Sequence, residues 1–534
     1  MLRCSVLFVA VASIAAPLLA QVPSDSVVHD PNRITAVVIE TSDVYTQEQA
    51  NTLVARILNG LHITTRHGVI RREVLLRPGE VYDSARAAET ERGLRALRIF
   101  RRVAVDSVRS DSGLVLRVRT QDAFTTRFEF SIVGSDESRS WAVSVNELNL
   151  LGTATRVMVR YRRTPDREGV TTSFQRHRLI GGRVGLTAFY DRRSDGHTVY
   201  GDIAQPFFSY SSPTSWFVSG EQRDERVLRF AEGNPDPAAI LERRFWLART
   251  GVGHALSRSP SGYVRLGVNA QLRRDDYAAQ SRVDTLGRSV SGAITPFVQW
   301  RAGRLLVRPD FAGIGPREGV DPSTPGHFLL GVAPEAFGYR DNGVVPTLSA
   351  YTGLGWRRGF ARFSTSAHAR FTDAGVVDSG AVHLAGLVVL KPAPRQMAVF
   401  HAARGWQKNP MPGAEFDLGL GLGPRGFRAH AFSGDRAFLI GTELRYTVFD
   451  DFLNSAGLGV AAFGEYGGAW YGGAPVRAGY SVGLGLRFGL TFASDLSPAR
   501  LDFAYTGGDG LDRPAWRVAF GKGFVFNTNG RLDQ

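Results

Sequence analysis

The sequence predicts a mainly β protein: a transmembrane antiparallel β-barrel of about 16 strands preceded by a small α+β domain. Three observations predict it. The chain opens on a short apolar run. A compact stretch of mixed helix and strand follows, over residues 33–122. From residue 126 to 534 the helical period gives way to strand after strand with one apolar and one polar face.

Arg3 makes the start positive, residues 5–19 are almost wholly apolar, and Ala20 precedes the polar turn Gln21-Val22-Pro23-Ser24. That is the layout of a secretory signal peptide. Residues 1–20 are therefore expected to be a removed signal and 21–32 a polar linker. The run is shorter than the about 20 apolar residues that a spanning helix needs. The single cysteine, Cys4, falls inside the expected signal, ahead of that run. The processed chain then carries no thiol, which excludes disulfides, thiol catalysis and cysteine metal sites.

Lys and Arg number 64 against 50 Asp and Glu, a formal charge of +14. Such a balance first suggests nucleic acid. The arginines, however, are spread through alternating segments instead of being gathered in one stripe, and an exported chain rarely meets nucleic acid. An arginine-lined lumen accounts for the charge, and no nucleic-acid partner is expected. The 60 glycines, 10% aromatics and only 4 methionines suit a barrel. Mean hydropathy is −0.11, and no apolar run of spanning length follows the signal.

Within 33–122, Ile34 to Ile39 reads as a strand. Ala50, Leu53, Val54, Ile57 and Leu61 recur at helical spacing. A second short helix covers Val69 to Leu76 and stops at Arg77-Pro78-Gly79-Glu80. Asp83 can cap a third helix, 84–98, with Ala87, Leu94 and Leu97 on one side. Val103 and Val105, then Leu114, Leu116 and Val118, alternate with their neighbours as two strands.

Beyond residue 126 the clearest strand is Ser481 to Leu490. Val482, Leu484, Leu486, Phe488 and Leu490 share one face, and Ser481, Gly483, Gly485, Arg487 and Gly489 the other. Phe363, Thr365, Ala367, Ala369 and Phe371 oppose Arg362, Ser364, Ser366, His368 and Arg370 in the same way. Leu501, Phe503 and Tyr505 oppose Asp502, Ala504 and Thr506. So many strands folded as a soluble sandwich would need a core beyond the size at which single cores stop growing. A membrane barrel turns the apolar face to lipid and the polar face to a wet lumen, and it leaves no unpaired edge in hydrocarbon. Polar insertions such as 225–242 and 311–324 then read as outer loops.

At this point the residues resemble a known group. The run Val69-Ile70-Arg71-Arg72-Glu73, with Arg77-Pro78-Gly79-Glu80 and Leu94-Arg95-Ala96-Leu97-Arg98-Ile99-Phe100, resembles a POTRA domain, the periplasmic module of BamA-type barrels. Asn146-Glu147-Leu148-Asn149-Leu150-Leu151-Gly152 resembles the start of that family's first barrel hairpin. Pro424-Arg425-Gly426-Phe427 resembles the Val-Arg-Gly-Phe/Tyr motif of the sixth outer loop, and Phe463-Gly464-Glu465-Tyr466-Gly467 the Phe-x-Asp-x-Gly motif of the strand that receives it. The chain thus resembles the BamA/TamA-type outer-membrane β-barrel assembly superfamily, the bacterial surface antigen family, with a single POTRA-like domain. Pro424 stands where the family has an aliphatic residue, Glu465 where it has Asp, and one POTRA-like unit is readable where BamA-like members carry several.

The resemblance implies a place in the outer membrane, with residues 33–122 in the periplasm and 126–534 as the barrel. It implies a lumen lock in which Arg425, Gly426 and Phe427 meet Phe463, Glu465 and Gly467. The planar fork of Arg425 suits bidentate pairing with the Glu465 carboxylate. The barrel seam is expected between a first strand bearing Trp141, Val143 and Val145 and a last strand bearing Trp516, Val518, Phe520 and Phe524. Gly521 and Gly523 weaken pairing there, and Lys522 interrupts the lipid-facing row.

The implied function is assembly, insertion or translocation of unfolded or β-rich client polypeptides by β-augmentation and lateral opening. Outer-membrane lipid, and periplasmic accessory proteins where present, are the other expected partners. No enzyme activity, cofactor or metal is expected. The alternative is a secretion channel or passive transport pore. A porin would not need residues 33–122, and a one-partner transporter usually carries two POTRA units by family resemblance.

Other motifs lack their structural context. Gly421-Leu422-Gly423-Pro424-Arg425-Gly426 matches G-x-G-x-x-G without a βαβ unit. Gly479-Tyr480-Ser481-Val482-Gly483 matches G-x-S-x-G, but Ser481 opens a strand and not a strand-turn-helix corner. Gly507-Gly508-Asp509-Gly510-Leu511-Asp512 is one copy of a calcium repeat that works only in stacks. The 11 histidines show no zinc spacing.

Overall fold

The computed structural model describes residues 32–522, apart from 49, 52, 112, 137, 180–182, 211, 260, 280–288, 304–305, 309–317, 321–322, 453–455 and 491–498. The expected signal 1–20, linker residues 21–31, and Gly523 and Phe524 lie outside them.

In the N-terminal unit three strands, Ile34–Ser42, Phe100–Ser110 and Gly113–Asp122, form one sheet. Gly113–Asp122 is central, parallel to the first strand and antiparallel to the second. The helices Leu53–Leu61, His67–Glu73 and Ser84–Ala96 accompany it. Alternation in the strands sends Ile34, Leu116 and Val118 into one core, where Ile70 of the second helix and Leu94 of the third join them. The Asp83 carboxylate accepts from the Ala85 and Arg86 N–H groups at 2.8 and 3.2 Å and so starts the third helix. The first helix behaves differently from its apolar spacing. Leu53, Ile57 and Leu61 stay exposed and Ala55 is buried instead. The Asn59 side chain, bonded to both the N–H and the C=O of Tyr45, fixes that orientation.

The remainder closes into an antiparallel barrel. It has 20 strands among the described residues, from Thr126–Ser135 to Ala515–Lys522, and not about 16. The undercount has a physical reason. Residues 225–242 are polar and were expected as an outer loop, yet half of them are strand. Thr214–Arg229 and Ala239–Ser259 run on in register to Arg229 opposite Ala239, leaving only 230–238 as loop. These charged strand ends continue the sheet past the apolar stretch, where alternation no longer signals a strand. Tight turns hide others: only Ser194 and Asp195 separate Gly185–Arg193 from Gly196–Gln205. The second expected outer loop, 311–324, joins strands at the other end. Its neighbours Ala302 and Thr324 pair at the end that carries the N-terminal unit.

The two faces separate cleanly. Val482, Leu484 and Leu486 lie open on the outside, while Ser481 and Arg487 are buried inside. Among the described residues no helix is long and apolar enough to cross a membrane, which says nothing of crossing by strands.

The seam also differs from expectation. Trp141, Val143 and Val145 lie on Arg139–Glu147, the second barrel strand, which pairs with the first through Trp141 opposite Ile132. The last strand meets Thr126–Ser135, with Ala519 opposite Ser135 and Phe520 opposite Gly134. Phe128, Phe130 and Ile132 alternate as well as any later set, so the barrel begins one strand earlier than the Trp141 stretch suggests.

The N-terminal unit sits against one barrel mouth. Glu73 accepts from Arg178 Nε and Nη2 at 2.8 and 2.7 Å. Glu89 accepts from the Tyr210 N–H at 2.6 Å. Leu148 and Ala154, from the first hairpin on that side, complete its core.

Candidate functional site

The loop 409–435 connects strands Gln396–Lys408 and Arg436–Phe452 at the mouth opposite the N-terminal unit, and it folds into the lumen. Its own short hairpin, Phe416–Leu418 with Phe432–Gly434, gives it a backbone ladder. Phe416, Leu418, Phe427 and Phe432 form a small buried core against Ala437 and Ala469 of the wall. Aromatic side chains thus displace water from this part of the lumen.

Two glycines allow the close passage. Gly426 has φ +82°, and a Cβ there would lie 2.8 Å from Thr506 Cγ2 and 3.0 Å from Arg517 Cβ. Gly421 has φ +87°, and a Cβ there would lie 2.3 Å from Val133 Cγ1. Positive φ without a side chain is what glycine supplies. The loop therefore touches the first strand at Val133 and the last at Arg517.

Arg425 projects between these contacts and is almost wholly buried. Its main-chain N–H donates to Glu465 Oε2 at 2.9 Å. Its Nε lies 2.9 Å from Glu465 Oε1, its Nη2 2.6 Å from Glu443 Oε2 and its Nη1 3.3 Å from Asp502 Oδ2. The guanidinium carbon stands 3.9 Å from the centre of the Phe463 ring, a cation–π contact. The side chain thus divides itself among three carboxylates, and does not fork onto Glu465 alone as its planar shape suggested.

The wall answers with further arginines. Arg487 donates to Glu443 Oε1 and Oε2 at 3.1 and 2.9 Å and to Asp502 Oδ1 at 2.6 Å. Arg445 also donates to Glu443, and Arg500 lies 3.5 Å from Asp502. Arg425, Arg445, Arg487 and Arg500 alternate with Glu443, Glu465 and Asp502, drawn from four consecutive strands and the loop. Charges this deeply buried are tolerable only when paired.

The structure brings Arg425, Phe463 and Glu465 into one cluster. Phe427 lies nearby, 5.0 Å from Phe432 ring to ring, and Gly426 backs onto the wall. Gly467 faces the lumen two residues on, where a Cβ would meet Leu439 Cδ1 at 2.8 Å. Trp516, Val518 and Phe520 stand on the last strand. Glu443, Asp502, Arg445, Arg487 and Arg500 were not singled out from sequence as site residues. Strand parity could have found two of them, since Arg487 and Asp502 sit on polar faces already legible.

A second contact holds the same loop. His430, at φ +60°, places Nδ1 2.6 Å from Asp417 Oδ2 and Nε2 3.1 Å from Asp166. Its ring stacks on Phe230 at 3.4 Å. Burial works against its charge, but hydrogen bonds to Asp166 and Asp417 outweigh that and raise its pKa to about 9. Asp166 and Phe230 come from two different loops at the same mouth, so His430 ties three loops together.

The G-x-G-x-x-G match, 421–426, is part of this lumen loop and opens no helix. Ser481 is buried inside a strand, and among the described residues no cluster of His, Cys, Asp and Glu could hold a metal.

No protein-family model matches the chain. The outer membrane protein assembly factor BamA of Neorickettsia risticii (strain Illinois) is 30% identical over 135 residues, 24% of this chain and 18% of that protein. Three solved structures are similar in shape. BamA of Haemophilus ducreyi lacking POTRA domains 1–3 is 11% identical, over 91% of this chain and 85% of that one, at a TM-score of 0.44. CdiB of Escherichia coli is 13% identical, over 92% and 76%, at 0.46. CdiB of Acinetobacter baumannii is 12% identical, over 92% and 73%, at 0.42. A closed barrel whose apolar face lies outside is the architecture of an outer-membrane β-barrel, and over 135 residues the chain is similar in sequence to an assembly factor of the BamA type, of which it spans 18%.

Proposed function

We propose that this protein assembles, inserts or translocates β-rich polypeptides at the outer membrane by opening its barrel sideways, with no covalent chemistry. In this reading residues 33–122 are a POTRA-like periplasmic domain, the barrel starts at 126, and residues 1–20 are a cleaved signal. The observation that carries it is the seam. Among the described residues the last strand is in register with the first at Ala519–Ser135 and Phe520–Gly134, with one further main-chain bond from the Asp136 N–H to the Val518 carbonyl at 3.2 Å, although Gly521 and Lys522 continue the strand and pair with Arg500 and Ala499 on the other side. A strand bonded fully on one side and briefly on the other presents main-chain groups that an extended client can take up. Arg425 anchors the loop to the strands beside this seam, so the wall keeps its shape while the seam parts.

The relative that matches in sequence is named an assembly factor, which supports the same direction. The passive-pore alternative is disfavoured by a lumen that holds an aromatic-cored loop. Depleting the protein from cells and surveying the outer-membrane proteome tests the proposal. Outer-membrane β-barrel proteins should fall while soluble periplasmic proteins stay level. Unchanged barrel proteins, with altered permeability to small solutes alone, would favour the pore.

A further inference from the structure

The outer wall carries a feature that neither the loop nor the seam uses. Lipid-facing residues of five neighbouring strands meet in one row: Phe363 opposite Gly386, Gly386 opposite Ala402, Ala402 opposite Ile440, and Ile440 opposite Tyr466. The two small residues in its middle leave a groove of about 810 Å³ that continues past Phe400 to Gly464. Neither glycine is explained inside the chain. A Cβ on Gly386 or on Gly464 would meet nothing within 4 Å, and neither has the positive φ that would demand glycine. The space opens outward.

Arg404 occupies the next lipid-facing position of its strand toward the outer mouth, in register with Leu384 and Phe438. Among the described residues no carboxylate pairs with it. Its guanidinium carbon lies 5.1 Å from the Trp406 ring centre and 5.0 Å from that of Trp470. Tryptophans mark the level of the lipid headgroups in barrels, and a lipid-facing cation costs most at the midplane and little at that level. An unpaired arginine there retains donors in a fork suited to phosphate.

We propose that this groove binds an acidic, phosphate-bearing membrane lipid, with an acyl chain along Gly386, Ala402 and Gly464 and the phosphate on Arg404. Charge complementarity selects this occupant: the site offers a cation with no carboxylate partner among the described residues, above an apolar trough. The inference rests on the outer-membrane placement but not on the assembly role.

Native mass spectrometry of the full chain released from mixed phosphatidylglycerol and phosphatidylcholine micelles tests it. The wild type should retain phosphatidylglycerol over phosphatidylcholine by about fivefold, the contribution of one arginine near a charged surface. Arg404→Gln should bring that ratio to about one. Gly386→Leu, which fills free space, should reduce retention of both lipids while the barrel stays folded. Equal retention of the two lipids by the wild type, an unchanged preference in Arg404→Gln, or full retention in Gly386→Leu would each overturn the proposal. Client assembly measured in parallel separates the two readings. Lost lipid preference with normal assembly removes neither the barrel nor its proposed function.

Discussion

Arg425 is held by Glu465 through both main chain and side chain: its N–H donates to Oε2 at 2.9 Å, and its Nε stands 2.9 Å from Oε1. One carboxylate therefore fixes the position of the loop backbone as well as the charge it carries. Removing one partner of a buried pair typically costs about 3–5 kcal/mol, because the other charge is left uncompensated. Arg425→Ala should free the loop by about that amount. Limited proteolysis should cut within 409–435 in the variant and not in the wild type, while both still migrate as folded barrels on unheated gels. A loop equally protected in both would show that its aromatic core, not the arginine, holds it.

Glu443 serves three arginines at once, Arg425, Arg445 and Arg487. Glu443→Gln should therefore lower the barrel's heat-modification temperature more than Glu465→Gln, which strips only one close cation. Equal effects would contradict this ordering.

His430 gives the loop a pH dependence with a definite sign. Its folded pKa of about 9 lies above the ordinary 6.5. Its contribution is fully present below pH 6.5 and is lost as pH rises through about 9. Protection from hydrogen exchange at 409–435, relative to the intrinsic rate at each pH, should fall across that window in the wild type. In His430→Gln that protection should already be low at pH 6 and stay level to pH 9.5. An identical profile in both would place the pH response elsewhere.

Residues 33–122 are expected to unfold cooperatively as a separate fragment, since Ile34, Ile70, Leu94, Leu116 and Val118 form a core within it. Leu148 and Ala154 also touch that core. A fragment extended to 155 should therefore melt higher than 33–122. A non-cooperative transition in both would place the domain boundary elsewhere.

What was legible in the sequence followed periodicity and what was not followed its loss. Ser481 to Leu490 displayed its two faces in full, and Arg487 on the polar face proves to be one of the four arginines of the buried cluster. Arg425 and Glu465 were readable as motif residues. Glu443 was not, because one acidic residue among strand positions carries no sign of its partners. Charged strand ends such as Glu225 to Arg229 looked like loop, since outside the apolar band both faces of a strand can be polar. The seam was misplaced by one strand because Thr126–Ser135 directly follows the N-terminal unit, where nothing but spacing marks the change from one sheet to the next.

The central claim is that the seam must part. Ser135 and Ala519 face each other across it, both buried, and the processed chain is expected to hold no other cysteine. Antiparallel facing pairs bring Cα atoms to about 4.5–5.5 Å, within the range a disulfide accepts. Ser135→Cys with Ala519→Cys should lock the seam on oxidation. In cells depleted of the native protein, the locked form should fail to sustain outer-membrane β-barrel proteins, and a reductant should restore them. Normal levels with the bond demonstrably formed would contradict lateral opening.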